Sequence, residues 1–369
     1  MAKSAHTKSV VLAFACLAVA IVSTSSVHAQ IQNQKPDQLN PTKVVTVYPK
    51  YGYAPKPIKV RLSRSEVDVV KRLQIASFAP MTYPANSTSL AVFYIDPGAK
   101  DSPTLALGIK SMIMAGELLA SAPDEGFRKT AIIVGRTKSF IANTIRSLGC
   151  NPDFNAISGA LLMGATICNR QVIVINLSGY LFIKNRSQSL TTAMETAPEP
   201  PLSATSYIYA DRNIGGLSHE WAHVSRAYIS HGLIADNEPA WFREGFAELI
   251  SGMAGVRAST NGMTYLNFHV IRIRKFASWP NSCNKRTFDY RVTDETLGGC
   301  EYLRGLIALE LLVANYGGIK NLINLYADMR LTADFFSSFR HVYNMSVPTF
   351  ESKADNYFKY ITQAATYKP

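Results

Sequence analysis

Residues 219–249 read HEWAHVSRAYISHGLIADNEPAWFREGFAEL, and this stretch decides the fold prediction. His219 and His223 stand four residues apart, with Glu220 directly after the first of them. On an α-helix, positions i and i+4 lie on one face, so both imidazoles can reach one metal ion while Glu220 points toward a water molecule beside it. The spacing therefore predicts a helix through residues 219–223 that carries part of a metal site.

The third ligand has to come from outside this pentad, since a catalytic zinc site has three protein ligands and an open fourth position. In metzincins the third ligand is a histidine six residues after the second one. Here that position is Ile229, and Arg226 stands where metzincins have Gly. The sequence therefore excludes the metzincin class.

His231 and Glu244, which both lie further along the chain, are candidates for the third ligand. His231 precedes Gly232 in a predicted turn and fits no known ligand spacing. A second predicted helix begins at Pro239, with Glu238-Pro239 as its entry signal, and carries Glu244. We therefore favour Glu244 over His231.

The segment Trp241-Phe242-Arg243-Glu244-Gly245-Phe246-Ala247 resembles, position for position, the Trp-x-x-Glu-Gly-x-Ala segment that follows HExxH in gluzincins. The chain looks most similar to the peptidase MA-like group related to membrane-alanyl aminopeptidases. This resemblance implies that His219, His223 and Glu244 bind zinc. It also implies that Glu248, one turn after Glu244, hydrogen-bonds a ligand histidine, as a carboxylate does in thermolysin-like enzymes. The alternative for Glu248 is an exposed position on a solvated helix face.

A second, shorter segment, Glu301-Tyr302-Leu303-Arg304-Gly305, resembles the Tyr-x-Lys-Gly segment of the aminopeptidase relatives. The resemblance implies that the Tyr302 hydroxyl stabilises the oxyanion, although Arg304 stands where the relatives have Lys. The alternative is that Tyr302 is an aromatic residue packed on an amphipathic helix. Both interpretations remain open at this stage.

The free-amine site of the aminopeptidase relatives has no clear counterpart in this chain. Those enzymes carry Gly-x-Met-Glu-Asn on an edge strand, and the chain offers only Ala193-Met194-Glu195-Thr196 in a Ser/Thr/Pro-rich loop. Recognition of a free amine is therefore not predicted. An extended peptide could still pair with an edge strand, for which residues 164–175 are a candidate.

The pattern of apolar residues divides the chain into a mixed part and a helical part. Short β-like runs at residues 90–95, 130–134 and 172–175 alternate with helix-like segments at 105–120 and 138–148. Beyond residue 215 the pattern is mostly helical. We predict an α+β fold in which a small α/β subdomain precedes a mainly helical, gluzincin-like catalytic region, with the zinc site between them. The predicted segments are a signal peptide (1–29), a Pro-rich leader (30–85), the α/β subdomain (86–206) and the helical zinc-binding region (207–369).

The N-terminus predicts export from the cytoplasm. Lys3 and Lys8 precede the apolar run of residues 10–22, and Val27-His28-Ala29 forms a small-residue cleavage site. The run is too short to span a membrane, so we expect no stable membrane insertion after cleavage. The mature protein is predicted to be secreted or periplasmic.

Four cysteines remain after the predicted cleavage, and an even number in an exported chain favours disulfides. Three pairings are open, and we prefer the two short loops, Cys150 with Cys168 and Cys283 with Cys300. The chain has no CxxC pair, which excludes a zinc ribbon.

Composition limits the remaining function classes. The 369 residues are 47% hydrophobic and 17% charged, which is typical of a folded globular protein. The formal net charge is +12, but no run of five like charges occurs, so a nucleic-acid partner is not predicted. We expect a zinc peptidase that acts on a peptide or protein, with Glu220 as general base. The alternative is a catalytically silent, zinc-stabilised binding protein of the cell envelope.

Overall fold

The computed structural model describes residues 43–47, 58–79, 91–99, 103–119, 130–135, 138–150, 164–167, 172–176, 205–231, 237–259, 263–277, 288–289, 291 and 300–365. The predicted signal peptide lies outside these residues. So do Cys168 and Cys283, so both disulfide pairings stay predictions.

Strands form two separate sheets in the described part of the chain. The strands are β1 (Lys43–Val47), β2 (Ile58–Leu62), β3 (Ala91–Ile95), β4 (Thr130–Gly135), β5 (Gly164–Ile167) and β6 (Val172–Asn176). β1 and β2 pair in antiparallel orientation. The second sheet has the order β3-β4-β6-β5, in which β3, β4 and β6 are parallel and β5 is antiparallel to β6.

Helices make up most of the described residues, and most of the described residues beyond residue 205 are helical. The helices are α1 (Arg64–Ser77), α2 (Pro103–Leu118), α3 (Lys138–Ser147), α4 (Thr205–Ile229), α5 (Ala240–Ala258), α6 (Tyr265–Ala277), α7 (Cys300–Asn315), α8 (Gly318–Thr332), α9 (Phe335–Tyr343) and α10 (Val347–Ala365). The three predicted strands and two predicted helices between residues 90 and 175 are confirmed, as is the helical character of the described residues in the C-terminal half. The candidate edge strand at residues 164–175 is wrong in part, because this stretch contains two antiparallel strands, β5 and β6, and only β5 ends the sheet order.

The central strand β4 is buried along its whole length, which explains its run of apolar residues. Its side chains alternate between two clusters. Ile132 and Val134 belong to the main hydrophobic core, whereas Ile133 packs with Ile141 and Ile145 of α3 in a smaller cluster. The sheet therefore has an apolar layer on each face, as expected for parallel strands.

The segment predicted as a Pro-rich leader contains regular structure at its C-terminal end. Within residues 30–85 the structure has β1, β2 and α1, and Val69, Val70 and Leu73 of α1 are buried in the main core. α1 begins with a capping box, because Ser63 and Glu66 each bond the other's backbone N–H. The Pro, Gln and Asn content of residues 30–60 gave no signal for α1, which begins only after that stretch.

One hydrophobic core joins the predicted α/β and helical regions. Ile132, Val134 and Ile173 of the sheet lie in the same cluster as Trp221 of α4 and Phe246 of α5. The predicted boundary at residues 206 and 207 is therefore crossed by core packing, which keeps α4 and α5 in a fixed position against the sheet.

Two glycines allow α5 and α7 to cross at very short distance. A Cβ atom on Gly245 of α5 would lie 2.5 Å from Cα of Gly305, and one on Gly305 of α7 would lie 2.8 Å from Cα of Gly245. Real side chains do not tolerate such distances, so both positions require the absence of a side chain. The crossing places the first turn of α7, with Tyr302, beside the turn of α5 that carries Glu244.

No single helix in the described residues is long and apolar enough to cross a membrane. Helices α7 and α8 reach that length and apolarity only as a pair bent by 107°. Most side chains of α7 are buried in the main core.

Candidate metal centre

His219 and His223 of α4 and Glu244 of α5 come together as a buried group that could hold a metal ion. The Nε2 atoms of the two histidines are 3.2 Å apart. Oε2 of Glu244 lies 3.4 Å from Nε2 of His219 and 3.4 Å from Nε2 of His223. The structure thus brings together the three residues that the sequence predicted as ligands.

The three ligand atoms have the spacing that a tetrahedral metal ion requires. A regular tetrahedron of ligands about 2.0–2.1 Å from zinc has edges of about 3.3–3.4 Å. The observed separations of 3.2, 3.4 and 3.4 Å form one triangular face of such a tetrahedron. A small divalent ion therefore fits against these three atoms. They take three of its four tetrahedral positions and leave the fourth to another ligand.

The imidazoles and carboxylates of the group shift one another's pKa values. Burial by itself would lower the pKa of His219, but Glu244, Glu248 and Glu220 outweigh burial and raise that pKa to about 9. Burial lowers the pKa of His223, and Glu244 offsets only part of this effect. Burial would raise the pKa of Glu244, yet the two histidines hold it well below its ordinary value.

A buried ion pair fixes the end of α4 against the beginning of α5. Arg226, one turn after His223, donates to Glu238, which directly precedes the N-cap of α5. Glu238 also accepts a 2.8 Å hydrogen bond from the Tyr326 hydroxyl of α8. These contacts set the relative position of the two helices, so the imidazoles of α4 face the carboxylate of Glu244.

Glu220, predicted as the general base, is buried on α4 next to His219. Its charge acts on His219 strongly enough to contribute to the raised pKa of that imidazole. The carboxylate therefore lies within the electrostatic field of the metal group, as the HExxH spacing requires.

Glu248 lies beside His219, a candidate ligand, rather than on a solvated helix face. Its Oε1 is 3.7 Å from Nδ1 of His219, the ring nitrogen that faces away from the other two ligands. This is the position expected for a carboxylate that orients a ligand imidazole, although the separation is longer than a hydrogen bond.

Tyr302 lies at the metal group. Its ring stacks on the imidazole of His219, with centroids 5.7 Å apart and planes inclined by 19°. Arg304, two residues later, points elsewhere: it is buried, pairs with Asp355 at 2.9 Å and lies over the rings of Phe288 and Phe358. Arg304 thus packs α7 against α10.

Two arginines at the centre were not predicted from the sequence. Nε of Arg243 donates to Oε1 of Glu244 at 3.0 Å, which leaves Oε2 directed at the histidines. Arg272 of α6 lies 2.7 Å from Oε2 of Glu248. Arg243 is inside the recognised motif, whereas the contact of Arg272 depends on how α6 packs and has no local sequence signal.

The other sequence candidates do not join the centre in the described part of the chain. His231 is exposed in the turn after α4, with a φ of 54°, as its position before Gly232 suggested. Glu195 lies outside the described residues.

Comparisons with protein-family models, with curated proteins and with solved structures give no match. The interpretation of the metal centre therefore depends on its own residues and their geometry.

Proposed function

We propose that this protein is an exported zinc-dependent peptidase of the gluzincin type. The observation that carries the proposal is the triangle of His219, His223 and Glu244, with the Glu220 carboxylate buried beside it. Two imidazoles and one carboxylate are one of the donor sets of catalytic zinc sites, whereas structural sites have four protein ligands, mostly cysteines. The described sheet and helices are compatible with the α+β arrangement that this type implies.

A carboxylate at position 220 supports catalysis over the alternative of a silent, zinc-stabilised binding protein. When bound, zinc supplies a Lewis acid that polarises a carbonyl and lowers the pKa of a water molecule toward about 7. Glu220 takes a proton from the attacking water and returns it to the leaving amine. A purely structural site has no use for such a base.

The surrounding residues orient the ligands and bind the substrate. Glu248 faces Nδ1 of His219 and directs Nε2 of that ring toward the ion, while Arg243 does the same for Oε2 of Glu244. Strand β5 is last in the order of the described sheet and contacts α4. A peptide substrate in extended conformation would pair with this strand through main-chain hydrogen bonds.

The role of Tyr302 is tested by removal of its hydroxyl alone. If the hydroxyl donates to the oxyanion, Tyr302→Phe lowers kcat by roughly 10²- to 10³-fold with little change in KM, because that hydrogen bond strengthens as charge develops. The melting temperature should hardly change, since Phe keeps the ring that stacks on His219. Peptide kinetics and thermal melts of this variant check both expectations, and an unchanged kcat would remove Tyr302 from the catalytic residues.

The proposed function is tested by removal and return of the metal. The purified mature chain is expected to carry one zinc ion, and a mixed peptide library should show cleavage by mass spectrometry. Dialysis against a chelator should abolish cleavage, and one equivalent of zinc should restore it. Zinc binding without any cleavage would support the silent binding protein instead, and a chain that binds no zinc would contradict both functions.

A further inference from the structure

The Glu248 carboxylate is held between two partners. Its Oε1 lies 3.7 Å from Nδ1 of His219, and its Oε2 lies 2.7 Å from Nη2 of Arg272. A glutamate side chain has several rotatable bonds, and Glu248 is only partly buried, so its carboxylate could otherwise turn toward water. The strong, charge-assisted contact with Arg272 opposes that movement.

The packing of α6 against α5 explains why Arg272 reaches Glu248. A Cβ atom on Gly252 of α5 would overlap the ring of Phe268, so the two helices approach closely at this pair. Glu248 is one turn before Gly252, and Arg272 is one turn after Phe268. These two pairs of contacts are those expected when α5 and α6 pack side by side in antiparallel orientation. The Arg272 guanidinium also lies 5.5 Å from the centre of the Phe268 ring.

A buried charge cluster anchors α6 to two further helices. Nδ1 of His269 lies 2.9 Å from Oε2 of Glu310 in α7, and its Nε2 lies 3.7 Å from Oε1 of Glu66 in α1. Burial would lower the pKa of His269, but Glu310 and Glu66 raise it to about 10. Tyr265 adds a 2.9 Å hydrogen bond to Glu310. His269 therefore fixes α6 to α1 and α7 within one turn of Arg272, and Tyr265 adds a contact to α7 about two turns before Arg272.

We propose that Arg272 is a positioning residue of the metal centre, which holds Glu248 against Nδ1 of His219 and so keeps Nε2 of that ring directed at the ion. The proposal rests on the proposed function, because it assumes that His219 is a ligand. Arg272 pairs with Glu248 and acts on the proposed ligands only through that carboxylate. Its loss should therefore weaken metal binding by the same route as the loss of Glu248.

Zinc affinity in a double-mutant cycle tests this proposal. Dissociation constants are measured by competition with a chromophoric chelator for the wild type, Arg272→Gln, Glu248→Gln and the double variant. The matched control is Arg257→Gln: Arg257 pairs with Glu117 at 3.7 Å and its side chain is 22% exposed, against 24% for Arg272. Melting temperatures of the metal-free chains report on folding separately.

We expect Arg272→Gln to weaken zinc binding about 10-fold and Glu248→Gln about 10- to 100-fold. The double variant should bind no more weakly than Glu248→Gln alone, since both changes break one chain of contacts. Arg272→Lys keeps the charge and should recover part of the affinity, and Arg257→Gln should change it less than about twofold.

Wild-type affinity in Arg272→Gln, or losses that multiply in the double variant, would overturn the proposal and leave the proposed function intact. A wild-type chain that binds no zinc would overturn both.

Discussion

Replacement of Glu220 with Gln is expected to lower kcat for peptide hydrolysis by roughly 10²- to 10⁴-fold while one zinc ion per chain remains bound. Gln has nearly the same shape as Glu but cannot accept a proton, so the variant removes the base and leaves both imidazoles in place. The three ligand atoms of the centre belong to other residues, so the coordination is unchanged.

Zinc content by elemental analysis and initial rates on a cleaved peptide check this expectation in one preparation. Glu117→Gln is a suitable control, because Glu117 is an acidic residue of α2 that forms only a long, partly exposed pair with Arg257. It should retain wild-type activity. Cleavage at the wild-type rate by Glu220→Gln would reject Glu220 as the base, and loss of zinc from that variant would show that its carboxylate belongs to the ligand set.

Replacement of Gly245 with Ala is expected to destabilise the fold by about 3 kcal/mol or more. The added methyl group would enter the backbone of Gly305, and a backbone segment inside a helix cannot move aside as a flexible side chain can. α5 and α7 would have to separate, which would also move Tyr302 away from His219. Activity is therefore expected to fall together with the melting temperature.

Gly255 provides the matched control on the same helix. Apart from the chain neighbours of Gly255 and the backbone of α5 around it, no atom of the described residues lies within 4 Å of a Cβ added there. Ala is a better helix former than Gly by about 1 kcal/mol. Gly255→Ala should therefore keep or slightly raise the melting temperature. Urea unfolding of both variants gives the two free energies directly. A Gly245→Ala variant as stable as Gly255→Ala would refute the close crossing of α5 and α7.

The sequence was most informative where function depends on local spacing. The i, i+4 pair of His219 and His223 follows from helix geometry alone, and Glu244 was identified by a motif that lies within one helix. The strands β4 and β6 were also predictable, because their continuous apolar runs reflect burial on both faces. β3 has a similar apolar run, although its residues are only partly buried or exposed. In each case the physical cause acts within a few residues of the chain.

Contacts between distant helices could not be predicted in the same way. Arg272 and Glu248 are neighbours only because Phe268 packs on Gly252, and neither residue shows this locally. The helix α1 was likewise missed, since a Pro-rich stretch precedes it and its buried face is visible only beside the main core. Tyr302 had two equal interpretations until its stacking on His219 favoured a place at the centre.

Anomalous diffraction at the zinc edge, from crystals of the zinc-loaded protein, tests the central claim most directly. We predict one strong peak about 2.0–2.2 Å from Nε2 of His219, Nε2 of His223 and Oε2 of Glu244, with a fourth ligand that is not a protein atom. A peak at other residues would contradict the assigned ligands. A fourth protein ligand that closes the coordination sphere would contradict a peptidase, because it would leave no position for water or substrate.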